Sequence, residues 1–246
     1  MNRKSLVPLI CALAALPPAV LAADGSCSAS AAATMPTLVE LYTSEGCNSC
    51  PPADQWLSKL KGRDDVVALA FHVDYWDRLG WKDRFGSPEH TRRQAQQQRS
   101  NGARFSYTPQ VVVNGRDRPS WSGPVRADAR PATPVGVSVR RDGAAYVAQV
   151  QAAGDAPQRL AAYWALTEDG HVTAVKAGEN SGVTLKHDFV VREYVPVAAW
   201  QSQADAPKTL AFTPRTPADP AHPRQLNLVL VDADSGWPVQ AVRLGC

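Results

Sequence analysis

Hydrophobic positions in the first half of the chain alternate between the spacing of strands and the spacing of helices. Residues 37–42 and 66–73 form short apolar runs, and the second run is typical of a strand covered on both faces. Between the two runs, four apolar residues recur at helical spacing and predict an amphipathic helix: Ala53, Trp56, Leu57 and Leu60. This order of strand, helix and strand predicts an α/β arrangement.

The pattern continues with a second helix and a third strand. Residues 88–100 are polar and rich in Gln and Arg, and they predict a surface helix that Pro88 opens. Residues 110–113 predict a strand, and Asn114 and Gly115 form the turn signal of a hairpin. We therefore predict an N-terminal domain over residues 35–118.

The second half of the chain has the pattern of an all-β domain. Residues 119–134 are rich in proline and predict a linker, after which residues 135–246 form a second domain. Asp142 and Gly143 predict a hairpin turn, and the strands expected around and after it are residues 135–141, 144–151, 160–166, 172–176, 189–197, 209–212, 226–232 and 239–244. Short strands at this spacing favour an antiparallel β-sandwich-like domain.

The first 22 residues have the pattern of a secretory signal peptide. A short basic start precedes an apolar run over residues 6–21, and small residues surround a cleavage site near Ala22. The alternative is an uncleaved membrane anchor, but Pro17 and Pro18 interrupt an apolar run that is short for a membrane span. We predict a periplasmic or secreted protein with no stable membrane insertion after cleavage.

Charge argues against a nucleic-acid partner. The chain carries 26 basic and 23 acidic residues, a formal net charge of +3. Removal of Arg3 and Lys4 with the signal peptide leaves 24 basic against 23 acidic residues, or +1. A nearly neutral chain does not have the basic surface that nucleic-acid binding requires.

Four cysteines remain after cleavage, and an exported protein meets conditions in which cysteines pair. They allow three pairings. If Cys47 pairs with Cys50, then Cys27 and Cys246 are left to form a structural disulfide between the two ends of the mature chain. The alternative for the second pair is two free, unrelated thiols.

Cys47 and Cys50 form the most informative motif in the chain, because two cysteines separated by two residues are the minimal apparatus of a dithiol oxidoreductase. Cys47 lies where a strand gives way to a helix, so we expect it to be the exposed nucleophile and Cys50 to be the resolving thiol. Glu45 opposes activation of Cys47 by adding negative charge nearby, and Pro51 with Pro52 removes two backbone donors.

A histidine, aromatic residues and acids follow the second predicted strand. Because the C-terminal ends of parallel strands share one edge of a sheet, we expect this segment to lie beside the two cysteines. Tyr75 and Trp76 are candidates to bind substrate, and His72 or Asp74 to relay a proton. The alternative is a packed loop with purely structural aromatics. His72 with Cys47 and Cys50 could also bind copper or zinc.

Thr108 and Pro109 stand just before the third predicted strand. A proline at this position can adopt the cis form, although an ordinary trans proline is the alternative. With residues 40–43, the CxxC motif and residues 107–111, the chain resembles the thioredoxin/glutaredoxin superfamily. More narrowly, residues 44–54, 72–77 and 107–115 resemble a bacterial family of secreted thioredoxin-like proteins catalogued as a domain of unknown function.

This resemblance implies a thioredoxin-like N-terminal domain, and so an α/β fold class in which an antiparallel β-sandwich-like domain follows. It implies that the proline before the strand is cis and that Thr108 and Pro109 receive an extended substrate chain. It also makes Glu40 the nearest candidate for the buried acid that accepts a proton from Cys50. The spacing of Glu40 does not match that pattern cleanly, and its alternative role is an exposed strand residue.

The sequence thus predicts an exported thiol–disulfide oxidoreductase acting on periplasmic proteins. Its substrates are the thiols or disulfides of exported proteins. It works with a membrane or periplasmic redox partner, and it needs no bound cofactor and no metal. Two alternatives stay open. One is a copper- or other metal-binding chaperone that uses Cys47, Cys50 and His72. The other is a non-catalytic binding module in which Cys47–Cys50 is a structural disulfide.

Overall fold

The structure, a computed structural model, describes residues 27–31, 33–126 and 132–246. The predicted signal peptide lies outside these ranges. The elements of the first half are β1 (Ser28–Ala31), β2 (Thr37–Thr43), α1 (Pro51–Ser58), β3 (Val66–His72), α2 (Pro88–Ser100), β4 (Gln110–Val113) and β5 (Arg116–Asp117). Those of the second half are β6 (Val135–Asp142), β7 (Ala145–Ala152), β8 (Arg159–Glu168), β9 (His171–Ala174), β10 (Thr184–His187), β11 (Val190–Gln201), β12 (Lys208–Phe212), β13 (Arg224–Asp232) and β14 (Pro238–Leu244).

Most of the individual elements lie where hydrophobic spacing predicts them. Helix α2 has the predicted bounds, and Ser87 caps it by accepting a hydrogen bond from the backbone N–H of Glu89 over 3.1 Å. The turn between β4 and β5 contains Asn114 and Gly115, both with positive φ angles of 49° and 80°. Strands β1 and β5 were not predicted, because β1 consists of small Ser and Ala residues without a strong apolar pattern and β5 has only two residues.

One eight-stranded sheet runs through both halves of the chain, in the order β14-β13-β8-β11-β3-β2-β4-β5. Strands β2 and β3 are parallel over their full length. Strand β11 pairs with β3 in parallel, where Val190 lies opposite Ala70, and with β8 in antiparallel fashion. The other neighbouring strands of the sheet are antiparallel.

The predicted fold class, α/β with a separate thioredoxin-like N-terminal domain, is therefore wrong. The described chain is mostly β, with two α-helices, and strands from both halves share the large sheet. The apolar run of β3 correctly indicates a strand covered on both faces, but it carries no information about which strand pairs at its edge. In the structure β11 pairs there, so the sheet continues where the predicted domain would have ended.

A small sheet and helix α1 lie side by side on one face of the large sheet. A four-stranded antiparallel sheet, in the order β1-β6-β7-β12, packs on the part formed by β8, β13 and β14 around a core that includes Trp164, Leu228 and Phe212. Helix α1 packs through Trp56 and Leu57 on β2 and β3. The two-stranded sheet of β9 and β10 brings β10 alongside α1.

Helix α2 covers the opposite face of the large sheet. It buries polar side chains there, among them Arg93 and Gln97, next to an apolar cluster that includes Leu38, Tyr42 and Phe71. Strand β2 therefore presents alternate residues to α1 and to α2, and its end carries the loop that leads into α1.

Candidate functional site

Cys47 and Cys50 are joined by a disulfide at the start of α1, and their Cα atoms are 5.4 Å apart. Strand β2 ends at Thr43, and the following loop places Cys50 at the N-cap position of the helix. Pro51 occupies the first turn without disrupting it, because the first N–H groups of a helix have no acceptor within the helix. The helix therefore begins immediately after the second cysteine.

Both cysteines are fully buried, whereas Asn48 and Ser49 between them are exposed. The prediction that Cys47 is an exposed nucleophile is therefore wrong for the disulfide form of the protein. The hydroxyl oxygen of Ser49 lies 3.4 Å from the sulfur of Cys47. A substrate sulfur can reach Cys47 only after the side chains around it move.

Thr108, in the segment just before β4, contacts the dithiol through its side-chain hydroxyl. The peptide bond between Thr108 and Pro109 is cis. The hydroxyl of Thr108 donates a hydrogen bond to the sulfur of Cys47 over 3.3 Å, and it accepts one from the indole N–H of Trp76 over 2.8 Å. Because an indole N–H can only donate, it occupies the oxygen of Thr108 and leaves the hydroxyl hydrogen to point at the sulfur.

The aromatic residues after β3 lie beside the dithiol loop. Trp76 packs against the loop so closely that a Cβ atom on Gly46 would lie 3.0 Å from the Cβ of Trp76. Tyr75 is half-buried with its ring centroid 6.4 Å from that of Trp76, and burial raises the pKa of its phenol. The indole of Trp81, one turn further on, donates to the carboxylate of Glu45 over 2.8 Å.

The two proposed proton-relay residues of this segment have other partners. His72 is fully buried at the end of β3, and its Nδ1 lies 2.7 Å from the carboxylate of Asp83. The carboxylate of Asp74 accepts a 2.6 Å hydrogen bond from the hydroxyl of Thr91 and so ties the loop to α2. In the described chain, none of the side-chain hydrogen bonds of these two residues involves a cysteine.

Glu40 does not approach Cys50. Strand alternation places it on the face of β2 that α2 covers, opposite the face that packs on α1. Its buried carboxylate accepts hydrogen bonds from Arg93 at 3.0 Å, from Gln97 at 2.9 Å and from the hydroxyl of Tyr163 at 3.0 Å. Glu40 is therefore neither the predicted proton acceptor nor an exposed strand residue, but one partner of a buried ion pair.

Below the dithiol loop, two histidines and three carboxylates meet in the interior. We call this group the buried histidine cluster: His72, His187, Glu45, Asp54 and Asp83. The imidazole rings of the two histidines are 5.0 Å apart between centroids. Around His187, the Nε2 atom lies 3.5 Å from a carboxylate oxygen of Glu45, and the Nδ1 atom lies 3.8 Å from one of Asp54.

The close contacts between histidines and carboxylates shift the pKa values of His187, Glu45 and Asp83 toward their charged forms. Burial alone would lower the pKa of His187, but the carboxylates of Asp54 and Glu45 raise it to about 9. Burial would raise the pKa of Glu45, yet the interaction with His187 lowers it. In the same way the pKa of Asp83 falls to about 2, because His72 and backbone N–H groups outweigh its burial.

Sequence reasoning missed His187 because no spacing pattern links it to His72. The two residues are far apart in the chain and meet only because β10 lies beside α1 and β3 carries His72 to the same level. No local sequence signal could have revealed this proximity.

Asn180 is a second residue that the sequence did not identify. It lies in a turn over residues 178–182, and its buried amide donates to the backbone carbonyls of Glu45 at 2.9 Å and of Cys47 at 3.0 Å. The neighbouring Glu179 accepts a 3.2 Å hydrogen bond from the backbone N–H of Asn48. This turn therefore anchors the dithiol loop from the second half of the chain.

Cys27 and Cys246 form the second disulfide, with Cα atoms 6.0 Å apart. It joins the residue before β1 to the second residue after β14, which is the pairing expected once Cys47 pairs with Cys50. Two disulfides indicate an oxidising, extracytoplasmic environment. Among the described residues, no helix is long and apolar enough to cross a membrane.

Comparison with known proteins identifies relatives without an assigned activity. The model of a family described as "Protein of unknown function (DUF1223)" matches residues 38–231. The crystal structure of a protein from Agrobacterium tumefaciens, solved by the Northeast Structural Genomics Consortium, is similar with 29% sequence identity and a TM-score of 0.63. The similarity covers 86% of this chain and 94% of that one. No curated protein matches the chain.

Proposed function

Because the chain belongs to the DUF1223 family of proteins of unknown function, its activity has to be inferred from its site, and we propose that it is an exported thiol–disulfide oxidoreductase acting through Cys47 and Cys50. The observation that carries the proposal is the hydrogen bond from Thr108 to the sulfur of Cys47. A passive disulfide has no need of such a donor. A thiolate, the nucleophile in exchange, is stabilised by a donor aimed at its sulfur.

The reduced protein would transfer two electrons to a substrate disulfide. The thiolate of Cys47 attacks one substrate sulfur, a mixed disulfide forms, and the other substrate sulfur leaves as a thiolate that takes up a proton. The thiolate of Cys50 then attacks the sulfur of Cys47, which forms the Cys47–Cys50 disulfide and releases the second substrate thiol. Oxidation of a substrate dithiol is the same sequence in reverse.

The surroundings of the dithiol supply a place for the substrate chain. Pro109 and Thr108 stand immediately before β4, next to Cys47, and this local arrangement resembles the dithiol site of thioredoxin-like proteins. Trp76 packs against the same loop with the ring of Tyr75 beside it, and the two rings would offer an apolar surface to the substrate. The substrates are exported proteins in the periplasm or outside the cell, and a membrane or periplasmic redox partner restores the dithiol without a bound cofactor.

Redox titration with trapping tests this proposal. The purified protein is equilibrated in glutathione buffers, its thiols are alkylated, and each cysteine is read by peptide mass spectrometry. We expect Cys47 and Cys50 to exchange together while Cys27–Cys246 stays oxidised. Cys50→Ser should accumulate mixed disulfides with exported proteins, and Cys47→Ser should not, because it lacks the attacking sulfur. Failure of Cys50→Ser to trap any mixed disulfide would contradict the proposal.

The complete burial of Cys47 and Cys50 favours a second candidate, a binding module in which their disulfide is structural. Inert disulfides are buried and have potentials below the range that glutathione can reduce. The same titration separates the two: a disulfide that stays closed throughout supports this second candidate. The metal-chaperone alternative through the two cysteines gains no support from His72, because its side-chain hydrogen bond is to Asp83 and not to either cysteine.

A further inference from the structure

The buried histidine cluster contains polar atoms without hydrogen-bond partners among the described residues. These atoms are Nε2 of His72, both ring nitrogens of His187 and Oε1 of Glu45, and all three side chains are at most 2% exposed. Buried polar groups in native proteins are nearly always satisfied, so several unsatisfied atoms in one small region indicate a missing partner. Each neutral imidazole has one nitrogen with a free lone pair, and a metal cation can accept that lone pair and a carboxylate oxygen at the same time.

The spacing of these atoms suits a metal ion. Asp54, His72 and His187 each offer one ligand atom, and these atoms lie within 4.8 Å of one another. Nε2 of His187 lies 3.5 Å from the carboxylate of Glu45. In a tetrahedral site with bonds of about 2.0 Å to nitrogen and oxygen, the ligand atoms are about 3.3 Å apart. The ligand atoms of Asp54, His72 and His187 would therefore have to approach one another by at most about 1.5 Å to close around one ion.

Asp83 prepares His72 for this role. Its carboxylate lies 2.7 Å from Nδ1 of His72, which fixes the proton on that nitrogen and leaves Nε2 with a free lone pair. Asp83 is itself held by the backbone N–H groups of Glu45 at 2.8 Å and of Phe85 at 2.9 Å. A carboxylate that orients the far nitrogen of a ligating histidine is the usual outer shell of a zinc site.

We propose that the buried histidine cluster is a binding site for a divalent transition metal ion of the zinc class, ligated by Asp54, His72 and His187. In the metal-bound form both imidazoles are neutral ligands, and the carboxylate of Asp54 offsets one of the two charges of the ion. No cysteine takes part in the site.

The ion would lie next to the segments that position the dithiol, which are the loop before Cys47 and the start of α1. Asp54 lies one helical turn beyond Cys50 in α1, and Glu45 lies two residues before Cys47. The metal would thus tie the start of α1 to β3 and β10. This site does not depend on the proposed oxidoreductase activity, because its ligands are not the reacting groups.

Zinc binding by the disulfide-intact protein tests the proposal. The purified protein is stripped with a chelator and dialysed, and zinc is added in competition with a chromophoric chelator. We expect one zinc per chain, and binding weakened more than about 100-fold by His187→Gln or His72→Gln. Asp83→Asn should weaken it by about 10- to 100-fold through the outer shell. His222→Gln, outside the cluster, is the matched control and should bind as the wild type does.

Cobalt(II) bound in place of zinc reports the type of ligand in the wild-type protein, so this test does not depend on the folding of a ligand variant. Cobalt bound by nitrogen and oxygen ligands should give visible absorption bands of a tetrahedral site without a thiolate charge-transfer band. The Cys47→Ser, Cys50→Ser double variant should give the same spectrum and stoichiometry. Absence of stoichiometric zinc binding by the wild type, or a thiolate band that the double variant loses, would overturn the proposal. If the wild type binds no zinc, His187 is an imidazolium paired with the carboxylates of Glu45 and Asp54.

Discussion

The hydroxyl of Thr108 points at the sulfur of Cys47 from 3.3 Å, and the indole of Trp76 fixes its direction by occupying the hydroxyl oxygen. The three side chains come from different parts of the chain: the loop before α1, the loop after β3 and the segment before β4. Together they form a short relay of donors that ends on the first cysteine of the motif. This relay makes the clearest prediction about reactivity.

Replacing Thr108 with valine should make Cys47 less reactive. The loss of a hydrogen bond to a charged group costs about 1.5–3 kcal/mol, which raises the pKa of the Cys47 thiol by about one to two units. We expect alkylation of Cys47 at neutral pH to slow by roughly tenfold or more. The measurement is the pH dependence of alkylation in the Cys50→Ser background, read by mass spectrometry of the peptide that contains Cys47.

Two further variants test whether the relay acts as a unit. Thr108→Ser keeps the hydroxyl and should retain most of the wild-type rate. Trp76→Phe removes the donor to Thr108 and should slow alkylation less than Thr108→Val does. In a double-mutant cycle the two effects should not add, because both act through one hydroxyl. Equal alkylation rates for the valine variant and the wild type would show that the contact does not activate Cys47.

The sequence predicted the local motifs of this site better than it predicted the residues around them. The CxxC motif, the proline before β4 and the aromatic segment after β3 are all local patterns, and the structure brings them together. Asn180 and His187 carry no local pattern, because their positions depend on the pairing of strands far apart in the chain. Glu40 was misjudged because strand alternation could place it on either face, and only the docking of Arg93 decides which.

The same limit explains the error in the fold. Periodicity located β2, α1, β3, α2 and β4 within a few residues. It could not show that β11 would add to the edge of β3, because an apolar strand has the same pattern whichever strand pairs with it. Fold class depends on such pairings, so correct elements led to a wrong architecture.

Asn180 should be needed to hold the dithiol loop. Asn180→Ala leaves the buried carbonyls of Glu45 and Cys47 without this donor, and we expect a loss of about 1–3 kcal/mol in the free energy of unfolding. Amide hydrogen exchange in the loop should also become faster. Urea denaturation with both disulfides intact measures the first effect. The control is Glu179→Gln, an exposed neighbour, which should change stability by less than about 0.5 kcal/mol.

Because Glu40 and Arg93 form a buried ion pair, removing one partner should lower the free energy of unfolding strongly. Arg93→Met leaves the carboxylate of Glu40 buried without its cation, which should cost about 3–5 kcal/mol. The double variant Glu40→Gln, Arg93→Met should be more stable than Arg93→Met alone, because a neutral amide replaces the uncompensated charge. Arg92→Met, on the exposed face of α2, is the control and should cost no more than about 1 kcal/mol. If Arg93→Met cost as little as this control, the ion pair would have no structural role.

The buried imidazole of His90 should make the free energy of unfolding depend on pH. It is buried on α2 with its Nδ1 3.0 Å from the backbone carbonyl of His72, and burial lowers its pKa from 6.5 to about 4. Above pH 6.5 the imidazole is neutral in both the folded and the unfolded state, so it contributes no pH dependence. Between pH 6.5 and about 4 the unfolded state binds a proton that the folded state does not, and stability falls as pH falls.

The loss attributable to His90 should approach about 2–3 kcal/mol at pH 4. The variant His90→Gln keeps a donor for the carbonyl of His72 but cannot titrate, so its stability should decline less steeply than that of the wild type below pH 6.5. Chemical denaturation at a series of pH values measures the difference between the two proteins. That difference should be constant between pH 7 and 8 and should change only below pH 6.5. Parallel curves down to pH 4 would mean that His90 binds its proton equally well in the folded and the unfolded state.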